Sequence, residues 1–306
     1  MVDIIVTNYN NGELLTRCLK SVLTQTIGLD KLRCIIIDDA STDDSLGMAE
    51  KAIPEDAPFY IYVNPVNVGA GLSRRKGIEY AKSFGDSEYT LFLDGDDTIT
   101  DNYIRDLYNT ALLTGADIAI GLIKREGPNG WEGYTDTRGK LGKVTICDAK
   151  EYILGRMGEL LLFLNNNLVK TSLWDNVEYS ASRFIEDTPT TYRLYYYADK
   201  IAFSDAGYYN YMNNPKSLTS TGRNDGMKYT LYTLLSGIET YEFCKDKPDY
   251  PVVTIDAIKA GLFSFKLNNI NIKDMYRRYP EETSRLVEFI QKYKLGGCMS
   301  RLELKC

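Results

Sequence analysis

The sequence predicts an α/β protein: a doubly wound, mostly parallel sheet flanked by helices, with a helical C-terminal region. Three observations predict it. Over about the first hundred of 306 residues, short β-branched runs alternate with helical runs, the pattern of successive strand–helix–strand units. Acidic and amide residues collect where the apolar runs stop, and in such sheets the carboxyl ends of the strands are where ligands bind. From about residue 224 onward the pattern is helical throughout.

Taken in order, "DIIVTNY" (3–9) is a short β-branched strand. In the segment after it, Asn10 and Glu13 have capping-box spacing, and Leu15, Cys18, Leu19, Val22 and Leu23 recur at helical intervals. "RCIIIDD" (33–39) is a second strand, "STDDSLGMAEKAI" a short helix and "FYIYVN" (59–64) a third strand. "GLSRRKGIEYAKSFG" (71–85) is a helix closed by glycine, "YTLFLDGDD" a fourth strand, "DNYIRDLYNTALLTG" (101–115) a helix and "ADIAIGLIKRE" a fifth strand. Residues 127–145 are glycine-rich and polar and read as a hairpin or loop. Residues 149–174 read as helix and core, and 187–211 as a helix followed by strands. We divide the chain into a domain over 1–222, with a ligand-binding half (about 1–100) and a second half (about 101–222), and a helical subdomain over 223–306.

Composition bounds the chemistry. The chain is 44% hydrophobic, enough for one sizeable core or for a larger domain with a smaller one attached. No apolar run approaches the roughly 20 residues of a membrane span, and "MVDIIVTNYN" has no basic region or cleavage site of a signal peptide. A cytoplasmic protein is expected, with the inner face of the membrane as the alternative placement and peripheral membrane association included. The apolar residues of "AIKAGLFSF" are expected to pack internally. Cys18, Cys34, Cys147, Cys244, Cys298 and Cys306 form no CxxC pair and read as free thiols, several of them buried, rather than zinc or redox motifs. There is no histidine, which excludes Ser-His and Cys-His mechanisms and histidine-ligated metals. Proton and charge work must fall to Asp, Glu, Lys, Tyr or a bound metal. The net charge of −6 without a long basic run argues against nucleic-acid binding; a polyanionic ligand would need local bases or a divalent cation. The 24 tyrosines suit sugar- or base-facing surfaces, but packing with satisfied hydroxyls is the plainer reading.

Four clusters carry chemistry, each with a plain alternative. "LFLDGDD" puts Asp94, Asp96 and Asp97 within four positions at a strand end. An Asp-x-Asp there can hold a divalent metal through oxygen ligands and so bridge the phosphates of a nucleotide. The alternative is a turn, with Asp97 or Thr98 capping the next helix. In "IIIDDAST", Asp38 and Asp39 can accept from a nucleobase or a ribose; the alternative is helix capping by Ser41 or Thr42. In "NPVNVGAGLSRRKG", Gly69 and Gly71 allow close backbone approach, and Arg74 and Arg75 can reach a base, ribose or phosphate, against an ordinary basic helix face. In "FIEDTPTTYRL", Glu186 and Asp187 are carboxylates available as a general base. Asp187 can equally cap the following helix, with Pro189 in its first turn, and spacing alone favours the cap.

The order of these motifs resembles family 2 glycosyltransferases with the GT-A fold. "DIIVTNYNNGELLTRCLKSVLTQT", "CIIIDDASTDDS", "NVGAGLSRRKGI", "YTLFLDGDD" and "FIEDTPTTYRL…YYNYMNNPKSLT" carry the resemblance over roughly residues 2–220. It implies an inverting, usually metal-dependent enzyme that uses a nucleotide-sugar donor, most often a UDP-sugar, with Mn2+ or Mg2+. The acceptor expected is a glycan or lipid-linked glycan. By motif position, Thr7 and Tyr9 would lie on the base, and Asp38 and Asp39 would read uracil. Asn67, Gly69 and Arg74 would contact the uridine. Asp94 and Gly95 would face the donor, with Asp94 toward ribose or metal and Asp96 the more direct metal ligand. Asp187 would be the catalytic base and Glu186 an acceptor contact.

The sequence departs from the family's pattern at three places. Thr7 stands where proline is common, Ser73-Arg74-Arg75 replaces Ala-Arg-Asn, and Asn214 stands where many members have histidine. No Gln-x-x-Arg-Trp motif is present, which argues against a processive synthase. Two rival readings are a nucleotidyltransferase and an inactive sugar-nucleotide-binding module. "TNYNNGELL" has only Gly12 and no nearby lysine, against the first; Asp94, Asp96 and Asp187 are all present, against the second. Sugar and acceptor contacts are expected on loops near 127–145 and 205–225.

Overall fold

The structure, a computed structural model, describes residues 1–127, 130–133, 145–154, 163–215, 217, 225–247, 249, 255–267 and 270–295. The parallel half of the sheet forms where the sequence places it: β1 (Val2–Asn8), β2 (Leu32–Asp38), β3 (Phe59–Val63) and β4 (Tyr89–Asp94). β2 and β4 pair in parallel on either side of β1, and β3 lies beyond β2. The helices between them are α1 (Glu13–Leu23), α2 (Ser45–Ala52) and α3 (Ala70–Phe84). Every residue of β1 and β2 is buried, as expected for parallel strands covered on both faces. Asp3 would be costly inside β1, but it lies opposite Arg33 in register. Arg33 Nε sits 2.8 Å from Asp3 Oδ1, and its guanidinium also lies over the Phe84 ring, 3.8 Å from the centroid.

The far half of the sheet mixes directions. After β5 (Thr98–Ile99) and α4 (Tyr103–Thr114) come β6 (Ile118–Gly127), β7 (Gly130–Gly133), β8 (Thr145–Asp148), α5 (Ala149–Leu154), β9 (Asn167–Lys170), α6 (Asp187–Tyr197) and β10 (Lys200–Tyr211). The spatial order is β3-β2-β1-β4-β9-β6-β10-β5, with β7 on β6 and β8 on β10. β9 runs antiparallel to both β4 and β6, so the long strands β1–β4, β6 and β10 all point one way and the short ones point back. β9 corrects the reading of 149–174 as helix and core. β6 and β7 form the expected hairpin, and the rest of the 127–145 prediction lies outside the described residues.

Alternation along β1 explains the two-faced core. Ile4 and Val6 join Leu15, Leu19, Ile104 and Leu107 on one face, while Ile5 joins Ile78, Tyr152 and Leu194 on the other. Each such buried aliphatic side chain contributes about 1.5–3 kcal/mol. The second face continues into the tail helices α7 (Gly226–Cys244), α8 (Ile255–Leu267), α9 (Ile272–Arg278) and α10 (Pro280–Lys292), through Leu231, Leu234, Ile258, Leu262 and Leu286. Cys18, Cys34, Cys147 and Cys244 are free thiols. Among the described residues no helix is long and apolar enough to cross a membrane.

Capping differs from the sequence reading. Asn10 does not cap α1: it is left-handed at φ 54, and its Oδ1 accepts from the N–H groups of Thr42 at 2.7 Å and Asp43 at 3.2 Å. It therefore ties the β1–α1 turn to the β2–α2 turn. Nor does Ser41 or Thr42 cap α2, whose N-cap is Asp44. The glycine stops are where expected, with Gly85 closing α3 and Gly115 closing α4, both left-handed.

Candidate active site

The carboxyl ends of β1, β2 and β4 lie side by side, Thr7 opposite Asp94 and Asn8 opposite Asp38. The predicted polar edge is therefore real in space. Tyr9, just beyond β1, is 47% exposed and presents its ring outward. Asn67 is exposed in the loop before α3. Asp38 is fully buried and shapes its own turn: it accepts from Asn8 Nδ2 at 2.7 Å and from the Ser41 backbone N–H at 2.8 Å. Asp39 holds the start of α3. Its Oδ1 accepts from Val68 N–H at 2.9 Å and Asn64 Nδ2 at 2.8 Å, and its Oδ2 from Gly69 N–H at 2.7 Å.

Asp94 is held from three directions. Its Oδ1 accepts from Arg74 Nη2 at 2.6 Å and Thr7 Oγ1 at 3.3 Å, and its Oδ2 from Asn165 Nδ2 at 2.7 Å. Gly95 is the one residue type that fits next: its N–H donates to Thr7 O at 2.9 Å, and a Cβ there would meet that same oxygen at 2.9 Å. Asp97 neither caps the next helix nor faces the cleft. It is buried, accepting from Tyr209 OH at 2.6 Å and Met212 N–H at 2.8 Å. Burial, then the neighbouring Asp96 and Asp94, push its carboxyl well above the ordinary range. Thr98 is no cap either: it begins β5, and α4 starts after Asn102.

Among the described residues Asp96 has a single side-chain donor. Asn214 Nδ2 donates to its Oδ2 at 2.8 Å, so the residue at the position of the family's histidine does meet the Asp-x-Asp. Burial and then Asp94 raise the Asp96 carboxyl despite that bond, as expected of an acid short of positive charge. A hard divalent cation suits an all-oxygen site of one carboxylate completed by substrate phosphates, and Asp96 fits that role. Asp94, the other candidate ligand, shares the Arg74 guanidinium with Glu186 and Asp187. Among the described residues no cluster of three or more His, Cys, Asp or Glu side chains is arranged to hold a metal unaided.

The fourth cluster folds over this edge. Glu186 precedes α6 and Asp187 begins it, with no side-chain cap bond, so the cap favoured by spacing is not formed. Ile185 is left-handed at φ 58, an outlier for a β-branched residue that costs about 1–3 kcal/mol and is characteristic of functional turns. Asn10 and Ala40, beyond β1 and β2, share that conformation. The turn sends both carboxylates to Arg74, whose Nη1 pairs with Glu186 and donates to Asp187 Oδ1 at 2.9 Å. Tyr179 OH donates to the same Asp187 oxygen at 2.8 Å. Glu186 is buried, while the Asp187 side chain keeps 22% exposure. Burial raises both acids from their ordinary values, Glu186 to about 7; for Glu186 the charge of Asp187 adds to this, and Arg74 pulls each back.

Sequence reasoning named Asn214 but missed Tyr179, Tyr209 and Asn165. Asn165 and Tyr209 lie far in sequence from the carboxylates they meet, as Tyr179 does from Arg74, and only the count of tyrosines hinted at any of them. Arg75, adjacent to Arg74, turns out to the surface and pairs with Glu178 at 2.9 Å.

Residues 3–178 match the family described as Glycosyl transferase family 2. Over 227 residues the chain is 26% identical to Glycosyltransferase GlyG of Streptococcus pneumoniae serotype 4, covering 72% of this chain and 73% of that protein. Over 212 residues it is 30% identical to the poly(ribitol-phosphate) beta-glucosyltransferase of Bacillus spizizenii, covering 68% of this chain but only 32% of that longer protein. The crystal structure of S. aureus TarS 1-349 in complex with UDP-GlcNAc superposes with a TM-score of 0.60 at 17% identity, covering 96% of this chain and 92% of that one. That likeness is one of fold, and it is the GT-A-type α/β architecture.

Proposed function

The chain belongs to glycosyl transferase family 2, and from that membership we propose that it moves one sugar from a UDP-sugar to a saccharide acceptor, inverting the anomeric carbon. One observation carries the reading: the strand-end Asp94 and the Glu186–Asp187 pair meet on a single guanidinium, so donor-side and acceptor-side chemistry share one cleft. The poly(ribitol-phosphate) transferase among the relatives supports a cell-surface glycan as acceptor.

In this mechanism Tyr9, Asn67 and the β1 and β2 ends seat the nucleotide, and the Asp94–Asp96 turn faces its diphosphate. Asp187 is the base. Its Oδ1 is occupied by Arg74 and Tyr179, which fixes the carboxylate and leaves Oδ2 to accept the proton. A base must lie within hydrogen-bond reach of the acceptor hydroxyl and have a pKa near the working pH, and the upward shift of Asp187 suits that task. As Asp187 takes the proton, the acceptor oxygen bonds to the anomeric carbon and the bond to UDP breaks on the opposite face. Asp96 would hold a Mn2+ or Mg2+ ion, which when bound supplies charge stabilisation to the departing diphosphate. Glu186, buried next to Asp187, shares the Arg74 guanidinium with it.

The test is a panel of UDP-sugars with Mn2+, Mg2+ or EDTA, reading released UDP, with the product anomer assigned by NMR. Preferential turnover of one donor and an inverted product are expected. Retained UDP binding without turnover of any donor would overturn the reading in favour of a sugar-nucleotide-binding module.

A further inference from the structure

Arg74 is placed too deep to serve mainly as a nucleotide contact. Its side chain is 4% exposed, and its guanidinium is engaged on both sides. Nη2 donates to Asp94 Oδ1 at 2.6 Å. Nη1 donates to Asp187 Oδ1 at 2.9 Å and Tyr179 OH at 3.1 Å, and pairs with Glu186. We propose that Arg74 is a positioning residue: one guanidinium holds the base pair Glu186–Asp187 in register with the donor-side strand end at Asp94, and so sets the gap in which transfer occurs.

The helix carrying Arg74 is built to be a fixed post. Asp39 anchors its start through Val68 and Gly69 N–H. Gly71, its second residue, lets it lie directly on the loop before Asp187: a Cβ there would meet Ser180 O at 2.7 Å and Glu186 Cγ at 3.0 Å. On the other side of the gap, the left-handed Ile185 aims Glu186 and Asp187 back at the helix. Between two such rigid walls, a planar fork with donors at opposite edges can satisfy carboxylates on both. A lysine ammonium is a single point and cannot span them.

This inference rests on the glycosyl-transfer reading, and the experiment separates the two. Arg74→Lys retains the charge among three carboxylates and is the main probe. Arg74→Ala is the harsher one, and Tyr179→Phe removes a single hydroxyl. All are compared by thermal midpoint, by UDP affinity in Mn2+, and by donor KM and kcat. Misplacing a reacting group by about an ångström costs on the order of 100-fold. Arg74→Lys is therefore expected to lose about that factor in kcat, with UDP affinity and donor KM within about threefold. Tyr179→Phe is expected to lose less, in the same direction. Arg75→Ala serves as the surface control and leaves all four quantities unchanged. A loss of UDP affinity by tenfold or more in Arg74→Lys assigns the residue to the nucleotide and overturns the proposal, as does full turnover by that variant. If Asp187→Asn also turns over normally, the base assignment fails; if it is dead while Arg74→Lys is active, only the positioning role fails.

Discussion

Replacing Asp187, the proposed base, by asparagine removes its charge and proton affinity while keeping its volume. The structure bounds the effect. Oδ1 is already committed to Arg74 and Tyr179, and an asparagine oxygen can accept both bonds, so the turn should hold. What disappears is a carboxylate able to take the acceptor proton. General base catalysis is worth about 10²–10⁴-fold, or about 2.7–5.4 kcal/mol of barrier at 1.36 kcal/mol per tenfold. The kcat for UDP release with acceptor should fall by that factor, and calorimetric UDP affinity should stay within about threefold. In the unmodified protein the acid limb of kcat/KM should lie above the ordinary carboxylate value of about 4, because burial raises both acids and Glu186 reaches about 7. It reports the pair rather than either member. The stability sign follows. Groups raised in the folded state contribute stability that is fully present below their unfolded values of 3.8 and 4.5. That contribution is lost as pH rises through the folded values. Removing one of the acids should therefore not lower the thermal midpoint at pH 7.5. Transfer within tenfold of the unmodified enzyme, or an acid limb at pH 4, refutes the reasoning.

Two further outcomes are expected. Asp96→Ala should abolish the gain in UDP affinity produced by Mn2+ while leaving metal-free affinity within about threefold; calorimetry that finds the same gain in both proteins removes Asp96 from the metal site. Burial pushes the Glu242 carboxyl up, but hydrogen bonds from Lys245, Lys292 and Tyr293 prevail and hold it at about 2 against a usual 4.5. The stability it contributes is present above pH 4.5 and lost as pH falls toward 2. Glu242→Gln should thus flatten the acid limb of a urea-midpoint profile over that window, and an unchanged profile would show that this link between α7 and α10 carries no stability.

Much of the first half of the chain was legible because its signals are local. Buried parallel strands read as continuous apolar runs, and Gly85 and Gly115 mark helix ends. β9 was not legible: Asn167–Lys170 is four residues long, and a short apolar run has no period that separates strand from helix. Its pairing partners β4 and β6 lie far upstream. The strand-end aspartates could be located but not sorted. Asp97 differs from Asp96 only because Tyr209 and Met212, more than a hundred residues later, claim it. The capping expectations failed for a related reason. Asn10 and Asp187 have the residue type and spacing of caps, yet stronger partners draw their side chains to other segments.

The reversed strand β9 has a consequence for how this architecture can diversify. A strand running against its neighbours arrives at the edge where they depart. The chain leaves that edge after β6, at Gly127, and comes back to it at Asn165 and Asn167, beside Asp94. Among the described residues between them, β7 pairs with β6, β8 pairs with β10 and Tyr152 enters the core. That stretch is woven into the sheet, so change in it is limited to what lies outside those pairings. β9 itself must keep its register on β4 and β6 for Asn165 to reach Asp94.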